Sequence, residues 1–232
     1  MPNATFIELT PLGDAAVIIQ LGQTIDLETH RKVKTLATLL DQHPIPGMIE
    51  QVPAFTTVAV FYDPLKTSYK AVCSMLEQIV SKLENPMDVE PRTVEIPVCY
   101  GGEFGPDLEF VAEHNRLTPD EVIDIHSNGE YLVYMIGFAP GFPYLGGMSK
   151  RIAAPRRESP RLSIPAGTVG IAGTQTGVYP IETPGGWQLI GRTPVALFRP
   201  NKNPPSVLQA GDLVRFRPIS REEYDAWKED AQ

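Results

Sequence analysis

The residues best suited to chemistry crowd into one stretch. Between Gly137 and Pro200 the chain carries seven basic side chains, Lys150, Arg151, Arg156, Arg157, Arg161, Arg192 and Arg199, against two acids, Glu158 and Glu182. A guanidinium offers carboxylates and phosphates a rigid two-pronged fork, and glycines among the arginines let backbone N–H groups approach a ligand closely. Arg156, Arg157 and Arg161 are therefore candidates for anion contact, Gln175 and Thr176 for polar contact, and Arg192 joins the same substrate- or partner-binding set. The alternative is that these arginines solvate a surface and pair with acidic helices, and composition does not choose between the two. Glu182 is the only acid between Glu158 and Asp212, placed either for metal-nucleotide or proton-transfer work or to neutralise an arginine. Aromatic residues share the stretch. Phe138, Phe142 and Tyr144, spaced by Pro140 and Gly141, suit the wall of a pocket or a protein interface, since they offer large apolar area at low entropic cost. Phe138 and Phe142 are equally suited to plugging the end of a β-barrel, and Trp187 divides in the same way.

Signatures of self-sufficient catalysis are missing. The sequence has no G-x-x-x-x-G-K-[ST], G-x-S-x-G, H-E-x-x-H or C-x-x-C. His30, His43, His114 and His126 are scattered, most of them on or at the ends of helical segments, where exposed or capping roles are expected. Cys73 and Cys99 lie in apolar surroundings with no second pair, which predicts buried thiols in a reducing compartment and no metal site. No catalytic residue is assigned.

The elements that must position these groups divide into two sets. A chain of 232 residues with 42% hydrophobic residues can bury a substantial core. Its formal net charge of −8 disfavours nucleic acid, whose binding needs a basic face. The N-terminus lacks a basic, then apolar leader, and the uncharged stretch from Tyr131 to Ser149 is broken by glycines and prolines, so neither export nor a membrane span is expected and the cytoplasm is the predicted location. Residues 1–90 alternate strand and helix: a strand at Ala15–Leu21, a helix from about Leu27 to Leu40 capped by Asp26, strands at Gly47–Val52 and Thr56–Tyr62, and a helix from Ser68 to Leu83 stopped by Glu84–Pro86. With Thr93–Val98 as a further strand this is the ferredoxin-like order. Residues 91–232 carry a helical insert near 106–126, with a capping box at Thr118 and Glu121. Short strands follow at 131–136, 162–164, 168–172, 177–181, 187–190, 195–198 and 213–217, as in a β-barrel, and a small helix opens at Ser220.

Several motifs in order then resemble one family. Gly137-Phe138-x-Pro140-Gly141-Phe142-x-Tyr144-Leu145-Gly146-Gly147, Pro155-Arg156-Arg157, Pro160-Arg161, Ile164-Pro165-Ala166-Gly167, Gly177-Val178-Tyr179-Pro180 and Pro184-Gly185-Gly186-Trp187-Gln188-Leu189 are similar to the allophanate hydrolase subunit 1 family, as are Gly101-Gly102-x-x-Gly105-Pro106-Asp107 and Leu12-Gly13-Asp14. That family includes bacterial 5-oxoprolinase B subunits and KipI-type kinase inhibitors. The resemblance implies a cyclophilin-like β-barrel in the C-terminal part, which with the ferredoxin-like α/β sandwich read from the order of elements makes an α+β chain. It also implies the B component of a 5-oxoprolinase that opens 5-oxo-L-proline to L-glutamate with subunits A and C, using ATP with Mg in the assembled complex. Its alternative is an inhibitor of histidine kinase autophosphorylation.

Overall fold

The computed structural model describes residues 7–81, 83 and 91–227, and the chain divides into two units, Met1–Glu90 and Pro91–Gln232. In the first unit, strands β1 (Glu8–Pro11), β2 (Ala16–Gln20), β3 (Met48–Pro53) and β4 (Thr57–Tyr62) form one antiparallel sheet in the order β1-β2-β4-β3. Alternation along β4 turns Val58, Val60 and Tyr62 inward, as period two requires. They meet Val33, Leu36 and Leu40 of helix α1 (Leu27–Gln42) and Val72, Leu76 and Val80 of helix α2 (Tyr69–Val80). Asp26 caps α1 by accepting from the Thr29 N–H at 2.8 Å, and Ser68 caps α2 through Ala71 N–H. Met75 is packed against this core. The expected stop at Glu84–Pro86 lies outside the described residues.

The ferredoxin-like order is altered at one position. Thr93–Val98 does not join this sheet; β1, for which the sequence offers no separate strand signal, occupies the edge beside β2 instead. Strand β5 (Thr93–Tyr100) belongs to the second unit, because its partner in register is β13 (Leu213–Pro218), from Thr93 opposite Leu213 to Val98 opposite Pro218.

The second unit is a closed barrel. After β5 come helices α3 (Leu108–Asn115) and α4 (Pro119–Ser127), then β6 (Tyr131–Ile136), β7 (Pro143–Gly146), β8 (Arg161–Ile164), β9 (Thr168–Ala172), β10 (Gln175–Val178), β11 (Thr183–Gly185), β12 (Gln188–Arg192), β13 and the short helix α5 (Arg221–Asp225). Seven strands close in the order β10-β7-β6-β13-β5-β12-β9, with β5 and β13 parallel. β8 and β11 pair apart from it as a two-stranded ribbon. The barrel interior holds Ile96, Val98, Tyr131, Val133, Leu145, Val169, Ile171, Val214 and Phe216, joined by Leu108, Val111 and Val122 of the helix pair. The Thr118–Glu121 capping box forms, as does a second at Ser220 and Glu223.

Four expectations are corrected. Residues 195–198 form no strand among the described residues beyond an isolated bridge from Phe198 to Ser206. Thr193 Oγ1 accepts the Val195 N–H at 3.2 Å and withdraws that donor from any ladder. Pro143–Gly146, where no strand is expected, is a barrel strand, with proline at the first position where it is tolerated. The strand placed at 177–181 runs over Gln175–Val178. His30 and His126, expected at the surface, are buried, His126 completely. Cys99 is buried and Cys73 half-buried, both free thiols. No helix among the described residues is long and apolar enough to cross a membrane.

Candidate functional site

A cavity of about 300 Å³ opens beside β7, lined by Phe138, Phe142, Tyr144, Arg156, Tyr179 and Trp187 together with Pro160 and the Pro184–Gly186 segment. Phe142, 2% exposed, is its centre. Its ring meets Tyr144 at 5.2 Å, Phe138 at 5.4 Å, Tyr179 at 5.5 Å and Trp187 at 5.6 Å between centroids, all edge to face. The chain before β7 folds tightly to deliver this ring, with Gly137 N–H donating to Phe142 O at 3.0 Å and Phe142 N–H to Ala139 O at 3.0 Å. Gly141 has φ +78, and a Cβ there would lie 3.0 Å from Phe198 Cβ, so glycine is required twice over. Phe138 also sits in the left-handed region at φ +68, yet is 65% exposed. On the opposite wall Arg157 N–H donates to Gly186 O at 2.8 Å, tying the arginine segment to the Gly-Gly turn. Gly185 leaves room for the Tyr179 hydroxyl, which a Cβ would strike. Burial pushes the Tyr179 phenol up to about 12, against a hydrogen bond from the Trp187 backbone and the positive field of Arg156 and Arg161, so it stays protonated.

The three neighbouring arginines differ in what they face. Asp107, at the start of α3 and buried, accepts from Arg161 Nη2 at 2.8 Å and Arg157 Nη1 at 3.3 Å through Oδ1. Its Oδ2 accepts the Leu189 N–H at 2.7 Å, and its own N–H donates to Leu189 O at 2.9 Å. One carboxylate thus fixes α3 to β12 and pairs with two of the three candidate cations, leaving a net charge of +1 on that cluster. Arg156 has no carboxylate partner among the described residues. It lines the aromatic cavity and also a second one of about 530 Å³ bounded by Asp107, Phe110, Arg157, Glu158, Ser159 and Gln188.

Residues 7–208 match the family described as carboxyltransferase domain, subdomain C and D. The chain belongs to that family. It is 56% identical over 234 residues to the 5-oxoprolinase B subunit of Bacillus subtilis (strain 168), covering 97% of this chain and 98% of that one. It is 42% identical to the 5-oxoprolinase B subunit of Escherichia coli O157:H7, over 89% and 94% of the two chains. The K. lactis urea amidolyase shares the fold, with a TM-score of 0.79 at 20% identity over 97% of this chain and 16% of that one.

On this carboxyltransferase subdomain scaffold the remaining candidate residues are spread out. Pro140 is exposed beside the cavity loop, and Gln175 is half-buried at the start of β10, opposite Ala172. Glu182 is exposed and outside both cavity linings. Arg192 stands over the Phe104 ring, 4.8 Å from its centroid, with Arg221 at 4.7 Å, as cation–π packing. Thr176 does not reach the cavity: it is fully buried, its hydroxyl donates to Gly170 O at 3.0 Å, and it therefore accepts from His126 Nε2 at 2.9 Å. His126 Nδ1 then accepts the Tyr100 hydroxyl at 2.8 Å. Burial holds this imidazole neutral, its pKa down to about 3.

Sequence reasoning misses Tyr179, Asp107 and Gln188. Tyr179 stands inside the motif Gly177-Val178-Tyr179-Pro180, and its signal is an aromatic ring amid small residues. Asp107 reads in the sequence as one negative charge of the helical insert; its place directly after a Gly-Gly-x-x-Gly-Pro turn is the available signal.

Proposed function

We propose that this chain is the B component of an ATP-dependent 5-oxoprolinase, a cytoplasmic complex with subunits A and C that converts 5-oxo-L-proline to L-glutamate. The observation that carries this reading is the end-to-end match, 56% identical over 97% of the chain, to a protein named as that component. In the reaction water adds to the lactam carbonyl carbon, the C–N bond breaks, and glutamate leaves with a free amine and a new carboxylate. The lactam is a resonance-stabilised amide, so its carbonyl must be activated, which is the task ATP performs.

Asp107 already engages Arg157 and Arg161, and no group of three His, Cys, Asp or Glu among the described residues could hold a metal ion by itself. A chain with a binding cavity and no catalytic acid, base or nucleophile assigned among its described residues supports a role that depends on its partners. Omitting this chain from the reconstituted three-component complex is expected to abolish ATP-dependent glutamate release. Turnover that survives the omission rejects the reading, and the kinase-inhibitor alternative replaces it if the lone chain then blocks autophosphorylation of a histidine kinase.

A further inference from the structure

We propose that the aromatic cavity is the recognition pocket for the lactam acid itself, with Arg156 taking the carboxylate and the rings of Phe142, Tyr144, Tyr179 and Trp187 holding the five-membered ring. The identity of the acid rests on the 5-oxoprolinase reading; its placement rests on the cavity.

Size is the first argument. A cavity of about 300 Å³ has room for a small ring acid. Shape is the second. The Tyr144, Tyr179 and Trp187 rings each stand at 68° to 88° to Phe142, so the wall presents π faces and edges in several directions. A puckered, partly saturated ring turns C–H bonds outward on both sides and can meet such a wall. Charge is the third. A pocket otherwise lined by aromatics, prolines and glycines contains one cation, and that cation lacks a carboxylate partner among the described residues, while its neighbours Arg157 and Arg161 have one. A carboxylate brought in by the ligand completes for Arg156 what Asp107 supplies to the other two. Phe138 adds an apolar rim on a backbone conformation that a phenylalanine adopts only at a free-energy cost.

The deciding measurement is steady-state kinetics on the assembled complex. Arg156→Gln is expected to raise KM for 5-oxo-L-proline about tenfold or more while KM for ATP stays within about twofold, and Arg156→Lys to recover part of the loss, because an ammonium keeps the charge but not the fork. A KM for 5-oxo-L-proline that does not change, or a KM for ATP that rises with it, overturns the proposal. Arg156 is exposed, so the variant's folding is not in question. If the complex turns over without this chain, the functional reading fails, and the pocket is then decided on the full chain alone. Quenching of Trp187 fluorescence by 5-oxo-L-proline, absent with 2-pyrrolidinone and with ATP and lost in Arg156→Gln, sustains the pocket; no quenching at millimolar acid rejects it.

Discussion

The side chains of the site separate into those that build it and those left to act. Phe138 shows the distinction best. A non-glycine residue in the left-handed region costs about 1–2 kcal/mol, and here the side chain is 65% exposed, so burial returns little of that cost. Phe138→Gly is therefore expected to leave the chain equally stable or about 1 kcal/mol more stable in urea denaturation, while weakening 5-oxo-L-proline binding in the complex. A variant that loses stability would show that Phe138 is packed for the fold. Asp107→Asn should act in the reverse sense. It removes a buried charge from two partly exposed arginines but keeps the shape, and is expected to cost about 1–3 kcal/mol of stability, with activity falling as α3 and the 155–161 segment lose their common anchor. Both roles are only half legible in the sequence. Arg156, Arg157 and Arg161 look alike there; what distinguishes them is a carboxylate 50 to 54 residues away, and no local pattern reveals which arginines it reaches.

Elements with local signals are legible in the sequence, and those defined by pairing are not. The caps at Asp26 and Thr118 are properties of a few adjacent residues and mark their helices in the sequence as they do in the structure. Strand β5 has equally clear strand chemistry, but its sheet is chosen by β13, about 120 positions later, so placing it in the N-terminal sheet mistakes its partner. Helix α4 hides a similar surprise. Its last turn carries His126 against Tyr100 of β5, Thr176 of β10 and Phe216 of β13, where the periodicity of an exposed helix end predicts solvent. The consequence is a pH dependence of stability. Burial lowers the His126 pKa from 6.5 to about 3, so below pH 6.5 the unfolded chain takes up a proton that the folded one refuses. Stability is complete above pH 6.5 and declines as pH falls towards 3. Each pH unit in that window removes about 1.4 kcal/mol, so urea unfolding at pH 4.5 should show about 2–3 kcal/mol less stability than at pH 7.5. His30 lies in the first unit, where burial and the nearby Lys34 lower it to about 4, so that unit's own transition takes a pH dependence of the same sign. His126→Gln is expected to flatten the profile of the barrel transition, and an unchanged slope would mean that the imidazole already carries its proton in the folded barrel.

For the whole molecule the decisive fact is that two cores share one chain. One gathers Val17, Ile19, Leu36, Val58 and Leu76 from the first unit, the other Ile96, Val133, Ile171 and Phe216 from the second, and no residue belongs to both. The barrel closes late in the sequence, because β5 at its beginning must find β13 near its end, and long-range pairing of this kind carries a large loop-closure cost before it is rewarded. The closure is secured at Asp212, 5% exposed, which accepts Arg92 Nε at 3.1 Å and the Gln209 N–H at 2.8 Å, while Arg92 also donates to Val207 O at 2.7 Å. Calorimetry of the full chain is therefore expected to resolve two transitions. Asp212→Ala should lower only the barrel transition, by about 1–3 kcal/mol since Arg92 remains half-exposed to water, and Leu76→Ala only the other, by about 2–5 kcal/mol for a fully buried leucine. If either substitution moves both transitions together, the units fold as one cooperative body, and the recognition pocket on the barrel then depends on the integrity of the N-terminal sheet as much as on its own strands.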